Sequence, residues 1–504
     1  MPTRNLIFLA VLAAIAGGSV VAFHLIQSRH QRRYDEFSRN YGRMHEQLID
    51  TGRDIRALRG LLGQSDGSLT AVDFARRLER SMPRYELTEA ERRRVLEGGY
   101  RGEVEVLREI TGDKYLRYVP RDRRDAVTAR IGGTARGLGL RFELDAATAR
   151  VTGVAVGSPA DEAGLRPGDR VVRIGATPVD RMDAAEARAA LRGRAGRDVE
   201  LTVVPVGAAD GEPHRVRLTG RRFQVQTVQG LYRLPDGTWR YALDADRGLY
   251  YVRVTELVAR THEQLRRALR TMQDPQGLVL DLRGNPGGQP EPAAELVNLF
   301  VSDGLLFRTM SIHDGEASER RFAARGEGTF DSQMPLVVLT DGETASAAEI
   351  VAGALRAHRR AALLGERTCG KPWVQSVMPV GDLGLIIHST GWYFLGRPSD
   401  AAPTGRRSER IAPDVPVEIP GGDRDDLRKL RIRLRSIPRP WLDEPAREAR
   451  ALRSAETAVA QLRWLDAPLD AAANLLAGPR RLERILQSQP DWLGAPASDE
   501  PDDE

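Results

Sequence analysis

Cysteine is almost missing from this chain. Cys369 is the single one among 504 residues, so neither an internal disulfide nor a thiolate metal site can form within it. Lysine is nearly as scarce: of 75 basic residues only Lys114, Lys371 and Lys429 are not arginine. Arginine cannot give up its proton in a protein, so a retained lysine nominates a place where a deprotonated amine is needed. The eight histidines include no HExxH and no pair at metal-ligand spacing on one helix face, which argues against metal chemistry. A long basic block is missing too. The formal net charge is +5, yet the two signs interleave along the chain, and a nucleic-acid surface needs its basic residues gathered in a patch.

The composition that remains, 41% hydrophobic and 29% charged, is that of a globular chain, and its length suits about three domains. Leu6–Ile26 is an apolar run interrupted by Ser19 and His24, long enough to cross a hydrocarbon core of about 30 Å. It predicts an uncleaved anchor within residues 1–33; a signal peptide cut after Ala16 is the alternative. The basic flank Arg29, His30, Arg32 and Arg33 would by itself leave the body in the cytoplasm. Residues 34–130 are rich in Arg and Glu, with helical stripes at Ile55, Leu58 and Leu62 and at Phe74, Leu78 and Met82. Residues 131–220 read as a small strand-rich domain in which Ala184–Leu191 is helical. From 221 to 420 strands alternate with helices: Tyr250–Val254 leads into 261–272, Leu278–Leu282 into 292–300, and Leu336–Leu339 into 346–358, an α/β core. Residues 421–504 are again helical and charged, and end in an acidic tail.

Three segments of the core could carry chemistry. In LVVLTDGETASAAEIVAGAL a buried strand runs through a short loop to Ser346 at a helix start. Ser346 and Glu349 fit a capping box, while the same geometry sets a hydroxyl beside helix-terminal amides that can hold an oxyanion. Lys371 follows between the apolar runs Ala361–Leu364 and Trp373–Val377. Desolvation there would lower its pKa and let it act as the base that a serine nucleophile needs. Gln375 falls on the same strand face, placed to orient the amine; an exposed loop cation and an ordinary strand glutamine are the plain alternatives. The third segment, Asp281-Leu-Arg-Gly-Asn-Pro-Gly-Gly288, is either a tight turn or a loop whose amides approach a substrate. It contains no Walker loop or dinucleotide fingerprint. A Ser-His-Asp arrangement would draw on His358 or His388, but the serine lacks a GxSxG elbow.

Taken together, LVLDLRGNPGG, PLVVLTDGETASAAEIVAGAL, GERTCGKPWVQ and Ile411–Val415 resemble the carboxyl-terminal processing (tail-specific) serine proteases in order and spacing. The resemblance makes Ser346 the nucleophile, Lys371 the general base and Gln375 its positioner. It puts the oxyanion donors on the amides of Gly288 and Ala347, with Glu349 and Thr368 in support. Upstream, Gly137-Leu-Gly-Leu140 and Gly157–Asp169 are similar to the PDZ domain of that family, implying a carboxylate-binding loop at Arg136, Gly137, Leu138, Gly139 and Leu140. The chain departs from the family at Cys369 and Pro372 around the lysine, at the reduced serine-rich stretch before Ala347, and at the longer, Arg-rich Gly396–Arg410.

The resemblance implies a crotonase- or ClpP-like mixed α/β peptidase core with an inserted PDZ domain, helical arms and an N-terminal transmembrane helix. The expected activity is a membrane-anchored, extracytoplasmic (periplasmic) serine endopeptidase acting near protein C-termini, with no cofactor and no metal. Its partners would be substrate tails and the membrane, with a homodimer or an adaptor protein compatible and nucleic acid excluded. A catalytically weak PDZ scaffold is the alternative.

Overall fold

The structure, a computed structural model, describes residues 115–489 apart from 146–147, 193–195, 207–211, 235, 314–315, 327–333, 381–383, 396–409, 422–423 and 437–454. The expected anchor, most of the helical region 34–130, nearly all of the 396–410 stretch and the acidic tail lie outside the described residues. Among the described residues no helix is long and apolar enough to cross a membrane. The chain forms two compact units; residues 119–310, 319–387 and 392–504 make the larger, which carries the parallel sheet, the antiparallel sheet and the candidate site described below.

The centre of that unit is a sheet whose strands read almost without polar interruption. Leu249–Val254, Gly277–Asp281, Leu336–Thr340, Ala362–Gly365 and Val415–Pro416 lie side by side and parallel, in register Leu278 to Leu336 and Val337 to Ala362. Continuous apolar runs are what a parallel sheet buried on both faces demands, and every residue of Gly277–Asp281 and Leu336–Thr340 is buried. Side chains alternate between two separate cores. Leu278, Leu280, Leu336, Val338 and Leu363 pack with the helices Thr261–Arg270, Pro290–Val297 and Ala347–Ala357. Val279, Val337, Leu339 and Leu364 pack with Leu427, Leu430, Leu469 and Leu476 from the C-terminal helices. The described C-terminal helices therefore wall one of the two cores rather than forming an arm, because they keep apolar stripes toward the sheet.

The N-terminal region read as helical contains a strand, Arg117–Pro120, before the helix Arg121–Ile131. Next comes an all-antiparallel sheet in the order Leu140–Leu144, Ala149–Val154, Arg170–Ile174, Asp198–Val204, His214–Thr219, with the helix Ala184–Arg192 against it. It has its own core, built on Leu138, Val151, Val171, Leu191, Leu201 and Val216. Strands Thr134–Gly137 and Arg221–Gln224 pair where the chain enters and leaves it. The expected hairpin at Leu234–Thr238 is present, joining Tyr232–Arg233 to Trp239–Arg240.

Candidate active site

Three segments distant in sequence meet at the C-terminal ends of the parallel strands. Strand Leu336–Thr340 passes through a tight loop into Ser346, the residue before helix Ala347–Ala357. Asp341 organises the loop, accepting the Gly284 N–H at 3.0 Å and the Thr344 hydroxyl at 3.0 Å. Ser346 itself sits at φ 55, ψ −120, a left-handed conformation that costs a residue with a Cβ about 1–3 kcal/mol. Such strain at a strand-to-helix turn presents the side chain outward at the helix N-terminus. The sequence offers no glycine signature for it, so the elbow was not readable there.

The glycine loop packs directly on this turn. Asn285 shapes it: its side chain donates to the Val254 carbonyl and accepts from Gly287 N–H, both at 2.9 Å, and its carbonyl accepts Ala345 N–H. A Cβ on Gly287 would stand 2.9 Å from Ser346 Cβ and 2.8 Å from Ala347 N. A Cβ on Gly288, at φ +148, would stand 2.0 Å from the Leu257 carbonyl oxygen. Only glycine fits either place. The amides of Gly288 and Ala347 make no hydrogen bond among the described residues.

The third segment is tied in by a buried carboxylate. Glu349, with no exposed surface, accepts four hydrogen bonds: Ser346 N–H at 2.7 Å, Thr368 hydroxyl at 2.6 Å, Gly370 N–H at 2.7 Å and Lys371 N–H at 2.9 Å. Burial pushes its carboxyl above the usual carboxylate range, and the four donors oppose that shift. One side chain thus holds the end of the serine helix and the lysine loop together. Thr368 extends the net, its hydroxyl accepting the Ile411 N–H at 2.8 Å. Lys371 Nζ donates to Gln375 Oε1 at 3.0 Å. The lysine is half-buried, less enclosed than its apolar flanks suggested, because Trp373 and Val374 are themselves only half-buried.

His358 stands at the far end of the same helix, about 16–18 Å from Ser346 by helical rise, with Nε2 2.9 Å from the Leu305 carbonyl. That removes it as a base for Ser346. The side chain of His388 lies outside the described residues.

Residues 248–417 match the Peptidase family S41 profile and residues 150–205 the PDZ domain profile. The chain carries an S41 peptidase domain and a PDZ domain. It is 30% identical over 306 residues to a carboxy-terminal-processing protease of Bartonella bacilliformis, covering 60% of this chain and 64% of that one. It is also 30% identical over 292 residues to a carboxyl-terminal-processing protease of Synechocystis, covering 57% and 64%. The chain therefore spans a little under two thirds of the length of these relatives. A solved photosystem II D1 C-terminal processing protease is 25% identical at a TM-score of 0.37, covering 67% of this chain and 91% of that one.

Upstream of the PDZ match, the segment Arg136–Leu140 turns on two left-handed glycines, Gly137 at φ 107 and Gly139 at φ 82. A Cβ on Gly139 would lie 2.1 Å from Ser158 Cβ. Leu138 anchors the loop in the domain core, and its carbonyl accepts Ala160 N–H. The strand that follows, Leu140–Leu144, is the last in its sheet and pairs on one side only among the described strands. Its other edge is the kind to which an extended peptide adds.

Proposed function

We propose that the chain is a serine endopeptidase that cuts protein substrates near their C-termini, with Ser346 as nucleophile, Lys371 as general base and Gln375 holding the amine. The neutral amine takes the Ser346 hydroxyl proton as Oγ bonds to the scissile carbonyl carbon. The negative oxygen so formed rests on the N–H groups of Gly288 and Ala347. Lys371 passes the proton to the leaving amine, and the acyl-enzyme is released by water that the same lysine deprotonates. Glu349 and Thr368 support this set. The PDZ loop Arg136–Leu140 receives the substrate's terminal carboxylate, and the tail adds to the edge of Leu140–Leu144.

The observation that carries this reading is the joint hold of Glu349 on the backbone of Ser346 and of Lys371, which ties the serine and lysine segments to one buried group. The relatives named as carboxy-terminal processing proteases support the same reading. The test uses the chain and its Ser346→Ala partner with an unfolded protein bearing an apolar C-terminal tail, products being followed by mass spectrometry. Cleavage by the parent alone is expected. Tail binding without cleavage by either form would leave the PDZ scaffold reading standing.

Anchoring through Leu6–Ile26 with the catalytic body in the periplasm belongs to the same proposal, as does recruitment of an adaptor or a second copy. A reporter that matures only in the periplasm, fused after Glu504, should give signal; a silent fusion would overturn the localisation.

A further inference from the structure

On the C-terminal side of the parallel sheet lies a cavity of about 770 Å³, walled by the PDZ domain, the strand ends and the helix Arg424–Arg435. At its inner end the charges do not balance. Arg283, 3% exposed, binds Asp281 through Nε at 2.9 Å and Nη2 at 2.8 Å, and Asp466 through Nη1 at 2.6 Å. Arg431 takes the other oxygen of Asp466, and the Tyr251 hydroxyl donates to Asp281 at 2.7 Å. Both carboxylates are thereby used, so four guanidinium groups face two acids once Arg253 and Arg435 are included. Arg253 makes one bond, Nη2 to the Arg283 carbonyl at 3.0 Å. The Nε atoms of Arg253 and Arg435 are sealed from solvent and have no hydrogen-bond partner among the described residues.

Both side chains are half-buried, yet a guanidinium Nε shut off from water and from any acceptor is costly, and a fold that keeps two of them in one cavity suits an anion that arrives from outside. Burial, reinforced by the neighbouring Arg253 and Arg431 charges and opposed in part by Tyr251 and Asp281, draws the Arg435 guanidinium down to about 9. The carboxylates that also line the cavity do not fill this role. Asp161 is held by Arg233, and Asp341 Oδ1 accepts Gly284 N–H and Thr344 Oγ1–H. Glu343 is exposed, and no ion pair joins it to either arginine among the described residues. Glu366 has contacts of its own.

We propose that this cavity binds a doubly charged oxyanion, a phosphate or phosphoryl group, through Arg253 and Arg435. Planar guanidinium groups suit such an ion because each offers paired N–H donors matched to its oxygens. The same cavity is walled by Arg141 of the PDZ domain and by Thr340 and Asp341, which begin the loop leading to Ser346. An anion held there would brace the PDZ domain, the C-terminal helix and the serine loop against one another, making phosphate a regulator of the peptidase domain.

The test titrates inorganic phosphate, pyrophosphate and adenosine monophosphate into the full chain at fixed ionic strength, reading heat and the thermal midpoint. Saturable binding is expected, with the midpoint rising as RT ln(1 + [L]/Kd) requires. A preference for pyrophosphate or the nucleotide would mark the phosphoryl group of a larger molecule, and a preference for phosphate the free ion. Arg435→Met should weaken binding at least tenfold while leaving the unliganded midpoint unchanged or higher, since it removes a half-buried cation whose Nε has no acceptor. Arg435→Lys should bind between the two. No saturable binding by the parent, or equal affinity in the parent and Arg435→Met, would overturn the proposal.

Discussion

The carboxylate of Glu349 accepts the backbone N–H of Ser346 at 2.7 Å, and the same oxygen accepts that of Lys371 at 2.9 Å. An acceptor-only group is required there, because all four of its partners are donors. Glu349→Gln keeps the volume but turns an NH2 toward two of those donors. The expected result is a fall in kcat of about 10- to 100-fold, matching about 1–3 kcal/mol for the misplaced donors, with KM little changed. Unfolding in urea across pH adds a second reading. A carboxyl raised by burial gives its stabilising contribution at low pH and loses it as pH climbs through the folded value. The stability of the parent relative to Glu349→Gln should therefore improve as pH is lowered from neutrality toward the ordinary carboxylate range. A difference that is flat with pH would show that burial does not dominate this group.

Lys371→Arg tests the base. The backbone N–H that Glu349 holds is retained, so the fold should be unchanged by circular dichroism and by urea midpoint. Arginine stays protonated and cannot accept the serine proton. Cleavage should fall to the level of Ser346→Ala. Robust turnover by this variant would take Lys371 out of the mechanism.

What could be read from the chain beforehand depended on how far apart the interacting residues lie. Gly277–Asp281 and Leu336–Thr340 were legible because a strand buried on both faces must be apolar throughout, and turn residues bound each one. Ser346 and Glu349 were legible as a helix start three residues wide. That Glu349 also serves Thr368, Gly370 and Lys371 could not be seen, since no local spacing links a helix to a loop about twenty residues on. The pairing of Arg283 with Asp466 spans 183 residues and leaves no mark in either neighbourhood. The C-terminal helices read as an arm because the arginines of Arg424–Arg435 and Pro479–Ser488 mask the leucines that pack against the sheet. Lys371 was expected deeper than it sits, since the apolar run after it is itself only half-buried.

Asp161 and Arg233 form a buried ion pair that fastens the PDZ domain to the Tyr232–Arg233 hairpin, with Arg233 Nη1 2.9 and 2.8 Å from the two carboxylate oxygens. Their side chains are 8% and 5% exposed, so removing one partner strands a charge in the interior. Arg233→Met should cost about 3–5 kcal/mol, seen as a lower urea midpoint. Arg233→Met combined with Asp161→Leu should recover most of that loss, because neither charge then remains. If the double variant is no better than the single, the Gly157 N–H that Asp161 also accepts outweighs the ion pair.

Gly288→Ala separates the catalytic loop from the rest of the molecule. The new methyl would meet the Leu257 carbonyl at 2.0 Å in a backbone conformation, φ +148, that side chains rarely adopt, so the Leu257 to Gly288 bridge must open. The Gly288 N–H then swings away from the position where we propose that it receives the oxyanion. Loss of one such donor is worth about 10²- to 10³-fold in kcat. The PDZ domain is built on a different core, so a tail peptide should bind the variant with unaltered affinity. Gly421→Ala, where a Cβ meets nothing within 4 Å, provides the matched control and should cut at the parental rate. Weakened tail binding in Gly288→Ala would mean that the loop supports the PDZ domain as well, while full activity would place the oxyanion elsewhere.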